Sequence, residues 1–390
     1  MGGILLRAAA AAHLIMSGAQ AADGFKTHYA AYAQAAEAGD NEAMLTHAER
    51  AWRAARQELG ASETTALLAQ NRLYLTLWSD PEDTRDAAAA ALELGRAGYG
   101  LGNMSLSELV IADAYARLAP TPSHAGAEEV MRAILADRET GRELLPFSAL
   151  AYRHGIDLAF AAEAPGAAYV LASALAKETE PLEAERALFA EATLKRGVAR
   201  LLENQSLRLD RAAGRIEASK PYQRQIADAY VLFEQAASAF PPAMTLNEIE
   251  PVAAQAKAWS ALVRALGASL RIRRMEEHVF EGHTAERADI SLLSGRGSGC
   301  DANDVVWRNQ ALSVPRGFGD NALGAAAVFG YTLNADGTVD APRLVAEVPG
   351  EVMNERTLRQ IGKWRADPEK TPPGCFGERT LTYRIHTIQR

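Results

Sequence analysis

The sequence predicts an α+β chain: an N-terminal α-solenoid of helix pairs, followed by a small C-terminal αβ domain with an antiparallel sheet and one helix. Three observations carry this. The chain of 390 residues contains 80 alanines, only 10 of them after residue 290. Alanine is the best helix former and lets helices approach closely, so a mostly helical front part follows. Helix starts recur near Lys26, Glu63, Ser105, Phe147, Ala184 and Gln223, at 37, 42, 42, 37 and 39 residues. That period belongs to repeated helix pairs. After about residue 300 the apolar period changes from helical to alternating.

The first 24 residues, MGGILLRAAAAAHLIMSGAQAADG, have one basic residue, Arg7, an apolar run from Ala8 to Met16, and a small-x-small site at Ala19-Gln20-Ala21. This pattern predicts a secretory signal peptide spanning 1–21, cut after Ala21 and leaving an exported chain. The run is shorter than the roughly 20 residues a membrane span needs. The alternative is an uncleaved anchor. Export bears on the two cysteines, Cys300 and Cys375. In an oxidising compartment an even pair predicts a disulfide, worth roughly 4 kcal/mol by chain entropy for a loop of this size. Their spacing is not the CxxC of an oxidoreductase.

Residues 25–275 read as the helical repeat domain, with a second helix expected inside each interval. Pro81, Pro120, Pro122, Pro165, Pro181, Pro221, Pro241, Pro242 and Pro251 stand at the expected breaks, and Pro146 is close to a helix start. Three segments carry a resemblance: Ala229-x3-Phe233-x2-Ala236-x4-Pro241, Ala48-x3-Trp52-x2-Ala55, and Ile111-Ala112 with Tyr115. They resemble the tetratricopeptide repeat, in which a small residue lets two helices approach and an aromatic fills the space beside it. The other units match less well, and a generic helical bundle is the alternative. The helix from Val252 to about Arg274 is expected to cap the array. Its basic end, Arg271, Arg273 and Arg274, suits a helix C-terminus.

Residues 276–303 read as a linker, with Ser294-Gly295-Arg296-Gly297-Ser298-Gly299 at its core. The domain 304–390 follows. Phe329, Tyr331 and Leu333 alternate with Val328, Gly330 and Thr332. Asn334-Ala335-Asp336-Gly337 makes a hairpin turn, and Thr338 to Val348 forms a second strand with Pro342 marking an edge or bulge. Asn354 can cap a helix that turns Leu358, Ile361 and Trp364 inward, with Met353 stapling on Leu358. In the last strand Leu381, Tyr383, Ile385 and Thr387 alternate with Thr380, Thr382, Arg384 and His386. One buried and one wet face are expected.

The order of strand, Asp336-Gly337 turn, strand, Asn354 helix, Lys363-Trp364-Arg365, Pro368 and terminal strand resembles the TonB C-terminal domain. The match covers about 324–390. The resemblance implies a periplasmic module that binds an extended peptide of an outer-membrane transporter beside a sheet edge. Unpaired backbone groups on such an edge recruit another strand. Here that edge is Thr380-Leu381-Thr382-Tyr383-Arg384-Ile385-His386. The chain departs from energy-transducing members, which keep an N-terminal membrane helix and a proline-rich spacer. Its 16 prolines are scattered.

Catalytic patterns (HExxH, a phosphate-binding loop, GxSxG, SxxK) are missing from the sequence. Glu276-Glu277-His278, Glu281 and His283 read as a solvated helix end rather than a metal site. The sequon Asn204-Gln205-Ser206 is short enough to arise by chance. The net charge of -8 lies entirely within residues 1–300, since 301–390 hold 11 acidic and 11 basic residues. A general nucleic-acid binder would need a basic face. The expectation is therefore an exported, periplasmic interaction scaffold without catalytic residue, metal or cofactor, whose partners are envelope proteins or peptides. Two alternatives remain: a membrane-anchored transducer for outer-membrane transport, and an envelope enzyme or ligand-binding protein with its site in the helical groove.

Overall fold

The computed structural model describes residues 23–138, 146–180, 183–203, 207–210, 215–241, 243, 245–269, 300, 304–310, 324–349 and 355–386. The expected signal peptide, the sequon, the Arg271–Arg274 and Glu276–His283 clusters, the Ser294–Gly299 linker, Met353, Asn354 and Thr387 lie outside these residues. The fold is α+β: mostly helical, with a small antiparallel sheet region in its C-terminal part. It divides into two compact units, Met1–Leu171 and Ala172–Arg390.

The first unit holds α1 (Asp23–Ala38), α2 (Asn41–Leu59), α3 (Glu63–Thr76), α4 (Pro81–Arg96), α5 (Leu106–Leu118), α6 (His124–Arg138) and α7 (Pro146–Ala161); α8 (Pro165–Thr179) spans the division. The boundaries follow from capping. The side chains of Asp40, Ser62 and Asp80 each accept a backbone N–H of the first turn of α2, α3 and α4. Ser105 and Glu108 form a reciprocal capping box on α5. From α1 to α7 each helix packs mainly on the next one in sequence.

Alternate helices also meet. Trp78, just past α3, stacks on His154 of α7 with ring centroids 4.8 Å apart and planes 8° apart. It lies 4.9 Å from Tyr115 of α5 and 5.5 Å from Phe147 of α7. An aromatic seam thus joins α3, α5 and α7. On the other side of α3, the buried guanidinium of Arg72 bridges Glu49 of α2, at 2.7 Å, and Asp83 of α4.

The second unit begins its own elements with α9 (Arg186–Leu202), the hairpin β1 (Leu207–Asp210) and β2 (Arg215–Ala218), α10 (Lys220–Ser238) and α11 (Pro251–Ser269). The hairpin corrects one expectation: it occupies the interval where a second helix was expected after α9. Leu207-Arg208-Leu209-Asp210 and Arg215-Ile216-Glu217-Ala218 alternate with period two, which favours paired strands. Phe233 of α10, fully buried, fills the space beside Gly197 of α9; a Cβ there would lie 2.6 Å from its ring. Ala229 and Ala236 are fully buried in the same core, and Trp259 of α11 stacks on Phe233 at 5.6 Å.

The remaining strands are β3 (Trp307–Asn309), β4 (Gly324–Leu333), β5 (Val339–Val348), β6 (Arg365–Ala366) and β7 (Gly377–His386), with α12 (Glu355–Ile361) between β5 and β6. The main sheet is antiparallel in the order β5-β4-β7. One face carries Phe329, Tyr331, Leu333 and Leu381 against Ile361 and Trp364. The expectation of a wet opposite face is not met. Ala326, Val328 and Val348 on that side are covered by Ala253, Ala254 and Ala258 of α11 together with Leu246 and Ile249. The helix expected to cap the array has the sheet on its other side. Small residues on both partners make the close approach possible: a Cβ at Gly330 would lie 2.7 Å from the Leu246 side chain.

Candidate functional site

The candidate site is the β7 edge of the sheet. β4 holds the centre, so β5 and β7 are the two edges, and they differ in quality. β7 pairs with β4 through ten consecutive residues, from Gly377 opposite Leu333 to His386 opposite Gly324, with no irregularity. β5 is broken. Its register against β4 shifts between Val328 and Phe329 and again between Gly330 and Thr332. Ala341 takes a positive φ of 47° beside Pro342. Bulges and prolines are the usual means of blunting an edge. Asn247 also accepts a hydrogen bond from Arg343 at 3.2 Å, drawing the turn Leu246–Glu248 towards β5. The cleft left between them is about 260 Å³.

Among the described residues β7 pairs with no strand other than β4. Thr380 is fully buried and Leu381 nearly so; Thr382 is half-buried. The backbones of Tyr383, Arg384, Ile385 and His386 continue the ladder opposite Ala327 to Gly324. Glu378 reaches across the sheet face and accepts the Leu246 N–H at 2.6 Å.

Asp336, Gly337, Trp364 and Pro368, four of the residues that carry the resemblance, come together beside this sheet. The turn between β4 and β5 closes through Gly337 N–H to Asn334 O, 2.9 Å, and Asp336 accepts the Thr338 N–H and hydroxyl. Those bonds hold the Asp336 carboxyl below the usual range. Gly337 O in turn accepts the Ala366 N–H at 2.8 Å, so the turn and the Trp364–Pro368 stretch are joined. Trp364 is buried and packs edge-on against Trp307, 5.3 Å away.

Sequence reasoning did not find the arm that carries Trp307. Residues 304–310 run antiparallel to β6, with Val305 buried. Val306 donates its N–H to Thr371 Oγ1, and its carbonyl accepts the Asp367 N–H. The Asp367 carboxylate receives Arg308 at 3.0 Å and the Glu369 N–H at 3.2 Å. The Arg308 bond leads in keeping the Asp367 carboxyl below its ordinary value. A depressed carboxylate contributes stability that is present above the unfolded pKa, about 4, and lost as pH falls through the lower folded value. Acid titration is therefore expected to release the arm only below about pH 4, seen as a change in tryptophan near-UV signal. In Asp367→Asn that pH-dependent step should shrink; an unchanged acid profile would remove Asp367 from the account.

Cys300 and Cys375 are joined in a disulfide, with Cα atoms 5.1 Å apart. It ties the arm to the turn Pro373–Cys375 that leads into β7. The Asp304 carboxylate lies within 4.8 Å of both sulfurs. Buried beside this turn is Arg379 of β7, a charged residue for which sequence reasoning held no signal of burial. No helix among the described residues is long and apolar enough to cross a membrane. Comparison of the chain with models of protein families, with curated proteins and with solved structures finds no match.

Proposed function

We propose that this chain is an exported, periplasmic interaction scaffold: a tetratricopeptide-like helical array joined to a TonB-like module that captures an extended peptide by strand addition at β7. The observation that carries this reading is the asymmetry of the two sheet edges. β7 offers a regular ten-residue strand, while β5 is bulged and bears Pro342. Strand addition needs an unbroken row of backbone donors and acceptors. The sheet order, with the second and last strands flanking the first and a helix between them, also supports the resemblance. For the helical part, support comes from helices that pack on their sequence neighbours and from the aromatic seam linking alternate ones. Its partner is taken to be a second envelope protein, and the peptide is one presented by an outer-membrane transporter. The reading includes no catalytic step, cofactor or metal.

Photo-crosslinking in the cell envelope tests it. A crosslinking residue at Thr382 of β7 should give a discrete adduct with an envelope protein, and one at Arg343 of β5 should not. Adducts of equal yield at both positions, or at neither, would count against strand addition at β7.

A further inference from the structure

The disulfide stands immediately before the candidate edge. Cys375 ends a short 3-10 turn, and β7 begins two residues later at Gly377. Arg379 of β7 is 3 % exposed. It donates from Nε to the Cys375 carbonyl at 2.9 Å and from Nη2 to the Gly374 carbonyl. Burial pulls its pKa below the usual arginine value, which reflects how little water reaches the charge. A buried cation compensated by two carbonyls depends on those carbonyls staying in place. The turn that carries them is tied to Cys300 by the disulfide.

We propose that the Cys300–Cys375 disulfide is a redox latch on β7. Oxidised, it fixes the Pro373–Cys375 turn, keeps Arg379 compensated and holds the strand flat for pairing. Reduced, it frees the turn, leaves Arg379 short of acceptors, and loosens the first half of β7. This rests on the proposed capture function only for its purpose; the loosening itself is a property of the chain without ligand.

The chemistry is thiol–disulfide exchange with a dithiol reductant. A thiolate of the reductant attacks Cys300 Sγ, since Cys300 is half-buried and Cys375 fully buried. The sulfur–sulfur bond breaks and its electron pair leaves on Cys375 Sγ. The reductant's second thiolate then attacks the mixed disulfide and expels Cys300 as a thiolate. Two electrons pass to the cysteines, the reductant becomes a cyclic disulfide, and its two protons end on Cys300 and Cys375.

Hydrogen exchange on the full chain tests this, with dithiothreitol as the dithiol and thiol titration to show two thiols released. The amides between Gly377 and Leu381 that are bonded to β4 should exchange at least about tenfold faster after reduction, while β5 keeps its protection. In Arg379→Met no charge needs the carbonyls, so the same reduction should change β7 exchange less than about threefold. Arg379→Gln serves as a second uncharged variant should the methionine not fold. Unchanged β7 exchange on reduction would overturn the latch. So would a loss of protection across the whole unit, which would make the disulfide a general staple. An equal response in the uncharged variants would overturn the part given to Arg379. Failure of peptide capture, with the selective loosening intact, would instead count against the function proposed above.

Discussion

Gly337→Ala is expected to lower stability by roughly 2–4 kcal/mol, an effect out of scale with one methyl group. Gly337 has φ 81°, which costs a non-glycine residue about 1 kcal/mol or more. The added Cβ would also press inside van der Waals contact on the carbonyl oxygen of Ala366, a backbone atom, with Pro368 Cδ 3.4 Å away. Neither neighbour can swing aside as a long side chain would. Ala366 is fixed by its own N–H bond to Gly337 O, and Trp364 two residues earlier is anchored in the core. The strain should therefore spread to β6 and the Trp307–Trp364 packing. Chemical denaturation of Gly337→Ala beside the parent chain measures it. A loss below about 0.5 kcal/mol would show that the turn is not braced against β6.

A fragment of residues 300–390 should fail to fold cooperatively, whereas 183–390 should fold. The shorter piece contains every strand of the main sheet but lacks α11 and the Leu246–Ile249 turn. Without them Ala326, Val328 and Val348, with Val345 and Ala346 beside them, face water. Each large aliphatic side chain left exposed forfeits about 1.5–3 kcal/mol, so the loss approaches the whole stability of a small domain. The fragment 300–390 is expected to bind a hydrophobic dye and to give poorly dispersed NMR signals. A sharp spectrum and a cooperative melt from it would show that α11 is an accessory cover.

Much of the fold was legible. Ser62, Ser105 and the proline at 146 mark helix starts by capping chemistry, and the starts expected near Glu63, Ser105 and Phe147 fall within a residue of those observed. Asp336-Gly337 marks its turn for an equally local reason. The hairpin β1–β2 was missed because four-residue alternations are faint in an alanine-rich chain. The covered second face of the sheet does have a signal in the sequence. Ala325-Ala326-Ala327-Val328-Phe329 is a continuous apolar run, which is how a strand buried on both sides reads, and not how a half-wet one does. At the edge, the sequence located the strand and its alternation. Its unbroken register and the bulges in β5 arise from pairing between distant segments, which no local pattern encodes.

The position of α11 has a consequence for how this sequence can vary. Most surface helices keep a face on which substitutions drift freely. Here Ala256 faces α10, Ala253, Ala254 and Ala258 face the sheet, and Trp259 packs on both cores, so the helix is confined from two sides. Enlarging any of these alanines would force either the helical core or the sheet to move. The richness in alanine along this segment is thus a record of restricted volume, and mutational tolerance should be lowest there rather than in the aromatic positions it separates.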